Sequence, residues 1–418
     1  MNVLALTPGG SALARRIGNV FPEARLWLPV GGDEGIDAGA GDTDAHGAGI
    51  IDATTTNDTA EATVLRWRPP LRNTFGLIFS AGKPILFIGA LGILVRLLAP
   101  RIADKRTDPP VIALDEGGRF VISVLAGHWG GANELAKEVS RRIGAVPVIT
   151  TATDVAGLPA VDTFARRWGA RIEPWAAVKK IASAQLRGDA IKWLADERFL
   201  PVLKKLEPAF PWHPSQKPTR EPLWKQPASG MSPSGDQISG ALTSDEASLC
   251  ELNQKTKTQR VLFSSRWVEP PVDLRLFPRC LIAGIGCRRG VSLEQVHVAF
   301  REACQIVDIH PRCLTAIASA WVKAEEPALI ALAKTYDVPF RTFSADEIQA
   351  CCASHREIGG SLFVADAIGV KAVCEPTALL THPQARLLLK KRAAGPVTVA
   401  LAEVPWPSSD WDQATGIR

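Results

Sequence analysis

Tyrosine is almost absent, with one in 418 residues, and no cysteine occurs before Cys250. The first shortage removes the usual stacking platform for nucleic-acid bases. No Lys/Arg block compensates, because 48 basic residues stand against 43 acidic ones for a formal charge of +5. An imbalance this mild argues against a nucleic-acid partner and suits a small polyanionic ligand. The eight cysteines, Cys250, Cys280, Cys287, Cys304, Cys313, Cys351, Cys352 and Cys374, contain no CxxC pair, so neither a disulfide framework nor a zinc site is expected. Long hydrophobic runs are missing as well. The apolar stretch Pro84–Val95, held between Lys83 and Arg96, is too short to cross a bilayer. The amino terminus lacks a basic n-region and breaks at Pro8, so the expectation is a cytoplasmic protein with no membrane partner.

What is present is ordinary globular composition, with 46% hydrophobic and 22% charged residues, and a length that suggests two to three domains. The most informative segment runs from Phe120 through Val-Ile-Ser-Val-Leu-Ala to Gly127-His128-Trp129-Gly130-Gly131-Ala-Asn133-Glu134. Phe120–Leu125 is apolar and β-branched and reads as a strand. Leu135, Ala136, Val139 and Ile143 follow the helical period, with Asn133 as the expected N-cap. Backbone N–H groups at Gly130 and Gly131, at the positive end of that helix, would favour an anion beside His128. Beyond the helix, Val146-Pro-Val-Ile-Thr-Thr-Ala-Thr153-Asp154 reads as a strand running out into hydroxyls and a carboxylate, where open α/β sheets place ligands.

Upstream, Val3–Leu6 reads as a strand, Ser11–Ile17 and Gly92–Ala99 as helices, and 111–125 as a hairpin. Residues 31–60 are rich in Gly, Asp, Ala and Thr and read as an exposed loop. Residues 174–205 read as helical, and Pro208–Thr258 as a Pro/Ser/Gly-rich linker in which Trp212 and Trp224 stand among prolines. A second α/β unit begins at Arg279, whose strand leads to Gly284-Ile-Gly286-Cys287-Arg288-Arg289-Gly290 and then to a helix opened by Ser292 and Gln295 at capping-box spacing. Further strands are expected at 314–318, 339–343, 386–391 and 396–402, with helices at 325–335, 345–352, 361–368 and 374–381. The architecture expected is therefore α/β: two α/β sandwich domains with mixed or mostly parallel sheets, joined through a middle region and a flexible linker. The boundaries read from the chain are 1–136, 137–277 with the linker at about 208–258, and 278–404.

The Gly284 loop does not have dinucleotide-binding spacing, and Asp308 is the nearest candidate for a ribose-binding acid, so a nicotinamide cofactor is disfavoured. Two guanidiniums beside free backbone donors suit carboxylates. The same arginines would favour a Cys287 thiolate electrostatically, although no neighbouring base supports a nucleophile, and packing or ligand contact is the preferred role. Glu375 precedes a helix, where an acid serves the macrodipole or a ligand. His297 is expected to be structural, and His310 and Cys313 have no companion metal ligands.

These segments together resemble the cobalt-precorrin-5A hydrolase family (CbiG) of anaerobic cobalamin biosynthesis. The resemblance is carried by Gly92-Ile-Leu-Val-Arg96 to Pro100, Asp115 through His128 to Glu134, and Pro147-Val-Ile-Thr-Thr-Ala-Thr-Asp154. In the second half it is carried by Gly284–Gly290, Lys323-Ala-Glu-Glu326 and Gly369-Val-Lys-Ala-Val-Cys-Glu375. Ala126 stands where the family often has serine, and Cys374 and Pro376 flank Glu375 where small residues are usual. The resemblance implies a cobalt-bearing tetrapyrrole substrate whose ring A acetate δ-lactone is opened, with the extruded carbon and its methyl leaving as acetaldehyde to give cobalt-precorrin-5B. No cofactor of the protein's own is implied, since the cobalt arrives with the substrate, and no protein metal site is expected.

On this reading His128 is the general base, and Glu134 or Asp154 moves the proton. Gly127, Gly130, Gly131, Asn133, Thr153, Gly284, Gly286, Cys287, Arg288, Arg289, Gly290 and Glu375 contact substrate. A homodimer and contact with neighbouring enzymes of the pathway remain open. The rival readings are a non-catalytic tetrapyrrole carrier and a nucleotide-dependent oxidoreductase.

Overall fold

A computed structural model describes residues 1–30, 53–54, 62–215, 258–267, 271–355, 358–359 and 369–407. The chain divides into two compact units, Met1–Thr163 and Phe164–Arg418. The first runs β1 (Asn2–Ala5), α1 (Pro8–Val20), β2 (Arg25–Pro29), β3 (Ala53–Thr54), β4 (Thr63–Trp67), α2 (Leu71–Ser80), β5 (Ile85–Ile88), α3 (Leu91–Leu98), β6 (Val111–Leu114), β7 (Phe120–Leu125), α4 (Ala132–Ile143), β8 (Val146–Val148), α5 (Ala152–Val155) and α6 (Val161–Arg167), the last of which crosses the division. Its strands form one sheet of order β3-β4-β2-β1-β5-β6-β7-β8. All pairs are parallel except β3 with β4 and β6 with β7.

Strict alternation along the buried strands builds two cores, because successive side chains point to opposite faces. Val3, Leu86, Ile88, Ile112 and Leu114 pack with Leu13 and Ile17 of α1 and Ala136 and Val139 of α4. Leu4, Ile85, Phe87, Val111 and Ala113 pack with Phe75 and Ile78 of α2 and Leu94 and Leu98 of α3 on the other side. Pro147 is accommodated because β8 is an edge strand, where a missing N–H breaks no inner ladder.

The second unit carries two sheets. Its first part comprises β9 (Arg171–Glu173), α7 (Ala176–Arg187), β10 (Ile191–Ala195), α8 (Leu200–Leu206), β11 (Trp212–Pro214), β12 (Gln259–Phe263) and β13 (Leu274–Phe277), with strand order β11-β10-β12-β13-β9. Phe164, Trp193, Phe199, Phe210, Trp212, Phe263 and Trp406 interlock there with ring centroids 4.5–6.3 Å apart. The remainder comprises β14 (Leu281–Cys287), α9 (Leu293–Ile306), β15 (Leu314–Ala320), α10 (Pro327–Thr335), β16 (Phe340–Phe343), α11 (Ala345–Ser354), α12 (Cys374–Leu380), β17 (Arg386–Ala394) and β18 (Val397–Glu403). Its sheet has the order β16-β15-β14-β18-β17, with β18 antiparallel to both of its neighbours.

The α/β architecture expected from the chain is present, and the middle region has a sheet of its own. Three local expectations are corrected. Residues 174–205 are not one helical stretch: Gly188 adopts φ 75 and ends α7, after which β10 buries Trp193 and Ala195. Pro208–Ser215 is not linker, because Phe210 and Trp212 join the aromatic core at 3% and 2% exposure. The strand after Val146 ends at Val148, and Ala152–Val155 turns helical. Of the 31–60 loop only Ala53–Thr54 is described, pairing antiparallel with β4. Residues 216–257 and the helix expected at 361–368 lie outside the described residues. Among the described residues no helix is long and apolar enough to cross a membrane.

Candidate active site

The chain leaves β7 at Leu125 and enters α4 at Ala132 through a tight turn. Ala126 takes φ 56 and Gly131 φ 88, and the turn folds back on itself. The N–H groups of Gly131, Ala132 and Asn133 donate to the carbonyls of His128, Ala126 and Gly127 at 3.0, 3.2 and 3.0 Å. This closure needs a bare backbone at Gly130, where a Cβ would lie 2.4 Å from that of Ala126. Two expectations change. Gly131, not Asn133, caps the helix, and Gly131 has already committed the N–H expected to serve an anion. Gly130 N–H has no acceptor of this kind among the described backbone contacts.

Asn133 is instead an internal strut at 3% exposure. Its Oδ1 accepts from Ser123 Oγ at 2.6 Å, and its Nδ2 donates to Thr151 Oγ1 at 3.0 Å and to Asp154 Oδ2 at 2.9 Å. It thereby joins β7, α4 and the start of α5. Gly127 lies so close to this amide that a Cβ there would meet Asn133 Oδ1 at 2.7 Å.

Around His128 the fold gathers residues far apart in the chain. Asp154 Oδ2 lies 2.8 Å from His128 Nε2, and Thr153 Oγ1 lies 3.1 Å from the same nitrogen. Asp162 Oδ1, from the first turn of α6, stands 3.5 Å from Nδ1, an ion-pair distance rather than a hydrogen bond. Lys137 Nζ, one helical turn beyond Asn133, donates to Asp154 Oδ1 at 3.0 Å. The His128, Asp154 and Asp162 side chains are 17%, 21% and 9% exposed. Glu134 is half-buried in the first turn of α4.

The electrostatics follow from this crowding. Asp162 raises the His128 pKa above its ordinary 6.5, against the opposing effect of burial, and Asp154 adds to the rise. For Asp154, burial pushes upward, but the Lys137 and His128 hydrogen bonds prevail and hold its carboxyl below the usual range. A carboxylate at each nitrogen favours the imidazolium form over the neutral ring. Deprotonated, the ring is a stronger base than free histidine.

Asp162, Lys137, Ser123 and Thr151 were not singled out from the chain. The available signal was an acid at a helix start just after the Gly157-Leu-Pro159 break, but its partner is set by how α5 and α6 fold back toward β7.

In the second unit the expected Gly-rich loop is largely strand. Gly284 and Gly286 lie within β14, where a Cβ on Gly284 would sit 1.8 Å from the Cys374 carbonyl oxygen and one on Gly286 would meet Thr398 Oγ1 at 2.8 Å. These glycines admit α12 and β18 to the sheet and are not presented to an anion. The true loop begins at Arg288, whose N–H donates to Pro396 O at 3.0 Å. Gly290 N–H donates to Glu326 Oε1 at 3.2 Å, while Lys323 Nζ holds Glu326 Oε2 at 2.8 Å. The backbone donors are thus partly taken, and the exposed Arg288 and Arg289 side chains are what the loop offers outward.

Cys287 is not activated. Burial raises its pKa, with Lys323 opposing and Glu326 assisting, in place of the thiolate stabilisation expected from the arginines. Glu375 is 2% exposed, and its Oε1 accepts the Lys391 N–H at 3.0 Å, tying α12 to β17, while Oε2 has no partner among the described residues. His297 is held by Tyr336, its Nε2 lying 2.8 Å from the hydroxyl. His310 stacks on Phe277 with centroids 4.6 Å apart. Among the described residues no three His, Cys, Asp or Glu side chains are placed to hold one metal ion.

Three family models match in order: Cobalamin synthesis G N-terminal over residues 73–154, Cobalamin biosynthesis central region over 159–277, and Cobalamin synthesis G C-terminus over 281–402. A cobalt-precorrin-5A hydrolase of Salmonella typhimurium is 30% identical over 400 residues, covering 96% of both chains. One of Priestia megaterium is 27% identical over 405 residues, covering 97% of this chain and 95% of its own. The solved structure of CobE, a protein from the cobalamin (vitamin B12) biosynthetic pathway, is 29% identical and covers 31% of this chain and 93% of its own, with a TM-score of 0.29.

Proposed function

Since the chain belongs to the cobalamin synthesis G family, we propose that it is a hydrolase of cobalamin biosynthesis acting on cobalt-precorrin-5A, with His128 as its proton-transfer residue. The observation that carries the residue assignment is the imidazole held between Asp154 and Asp162 at the end of β7. A histidine base whose pKa is raised by flanking acids accepts a proton from water more readily than a free imidazole does.

The reaction then runs in two stages. Neutral His128 takes a proton from water as its oxygen attacks the lactone carbonyl. The Gly130 N–H, the one donor of the expected pair not already bonded within the turn, is the candidate to receive the developing oxyanion. Cleavage of the lactone C–O bond yields a carboxylate and, at the extruded carbon, an alkoxide. As that alkoxide becomes a carbonyl, the bond to the macrocycle breaks, acetaldehyde departs, and the electron pair passes into the conjugated ring system of the substrate. Asp154, hydrogen-bonded to His128, or Glu134 on α4 returns the proton. The cobalt is part of the substrate.

Arg288 and Arg289 contact peripheral carboxylate arms, for which a planar guanidinium is suited. Arg288→Ala and Arg289→Ala are therefore expected to raise KM while kcat stays within a few-fold, because uniform binding is lost and the reacting centre is untouched. Raising ionic strength should weaken binding to the wild type more than to either variant. Steady-state kinetics at two salt concentrations check this, and a large fall in kcat at constant KM would place the arginines at the chemistry instead.

A further inference from the structure

We propose that Asp162 is a positioning residue for the reaction, orienting the His128 ring from the side opposite Asp154 and setting the charge the ring carries at rest. Its carboxylate is 9% exposed and lies 3.5 Å from Nδ1. Among the described residues its Oδ1 otherwise accepts the adjacent Thr163 N–H at 3.0 Å. A buried carboxylate is costly unless a cation answers it, and the His128 ring is the ion-pair partner of Asp162 among the described residues.

Asp154 is differently placed. Its charge is already shared with Lys137 and with the Asn133 amide, and it contributes less than Asp162 to the rise in the ring's pKa. The groups against the imidazole are Thr153 and Asp154 from α5 and Asp162 from α6, with Lys137 of α4 reaching Asp154. Of the two acids against the ring, Asp162 is the one whose charge is not divided with a lysine. It also enters from a helix beyond the Gly157–Pro159 break, so the ring is fixed from two separate elements.

This deepens the assignment of His128 to proton transfer and rests on it. The test uses the full chain. The His128 ring resonance is identified as the one lost in His128→Ala, and it is titrated by NMR in the wild type and in Asp162→Asn. The wild-type midpoint is expected above 6.5, and the variant's below the wild type's. In kinetics Asp162→Asn should lower kcat about 10-fold with little change in KM, a smaller loss than removal of the base itself. The rising limb of its pH profile should move to lower pH, and Asp162→Glu should restore part of the rate. An acid that only supports folding would leave the titration midpoint where it was, and that result overturns the proposal. If Asp162→Asn does not fold, the wild-type titration decides: a midpoint at or below 6.5 contradicts the role. Failure of the hydrolase assignment would appear as absent product with the titration unaffected, so the two are separable.

Discussion

His128→Ala is expected to lower turnover by about 10²-fold or more, the scale of a positioned general base, while tetrapyrrole binding stays near that of the wild type and the melting temperature falls, because the buried Asp162 carboxylate loses the ring that faces it. The side chain is 17% exposed and belongs to neither apolar core of the first unit. What it contributes is a basic nitrogen at the mouth of the β7–α4 turn, held by Asp154 at 2.8 Å and Asp162 at 3.5 Å. The pH dependence has a definite sign. Proton abstraction needs the neutral ring, and the flanking acids raise the pKa above 6.5, so kcat/KM should climb with pH through a midpoint above that value and then level off. Stability should run the other way. A group whose folded-state pKa is raised stabilises fully below its unfolded value and loses that contribution as pH rises through the folded one. Melting temperature should therefore fall modestly over the interval in which activity rises, and a turnover unchanged in His128→Ala would remove the residue from the mechanism.

Gly284→Ala should be the most damaging single methyl in the second unit. Its Cβ would lie 1.8 Å from the Cys374 carbonyl oxygen and 2.8 Å from the carbonyl carbon, inside the contact by which α12 packs on β14. The obstacle is backbone, so no rotamer change relieves it, and α12 would have to move away from the central strand. Overpacking of this kind should exceed the usual cost of a core substitution and reach about 4 kcal/mol or more. The expected outcome is little soluble protein, or a melting temperature far below the wild type's. Gly92→Ala is the control, since its Cβ would meet only Arg96 Nη1 at 3.5 Å inside α3. Equal melting temperatures for the two variants would mean that α12 does not approach β14 as described.

The contrast between Gly284 and His128 indicates where the chain was readable. The β7–α4 and β14–α9 units announce themselves locally, through a β-branched run followed by the helical period, and in α9 through Ser292 and Gln295, which form the capping box. Glycine is ambiguous at that level. The same residue type admits a ligand to a loop or a helix to a strand, and at Gly284 only the approach of Cys374 decides. The middle sheet was not legible for a related reason. Its strands are short, as in Arg171–Glu173 and Trp212–Pro214, and β11 and β12 enclose the long Pro- and Ser-rich stretch, so the pairing that makes them strands is non-local. Trp212 could be noticed among its prolines, but not its place against Phe164 and Trp193.

The catalytic reading divides along the same line. His128, Thr153 and Asp154 stand at the ends of apolar runs, where open α/β sheets place ligands, and the fold brings the three side chains together. Asp162 is invisible to that reasoning because it opens α6 and reaches Nδ1 only after the chain has turned twice. Cys287 shows the converse limit: neighbouring arginines in the chain favour a thiolate, whereas burial raises its pKa in the folded protein, in keeping with the packing or ligand-contact role preferred from the chain.

The most direct measurement of the central claim is product analysis. The protein is incubated with cobalt-precorrin-5A, aldehydes are trapped with a hydrazine reagent, and the tetrapyrrole product is titrated. A hydrolase working through the His128 site gives acetaldehyde with a product that has gained one carboxylate, and loses both in His128→Ala. Tight binding of the unchanged tetrapyrrole with no acetaldehyde released would contradict it and identify the protein as a carrier.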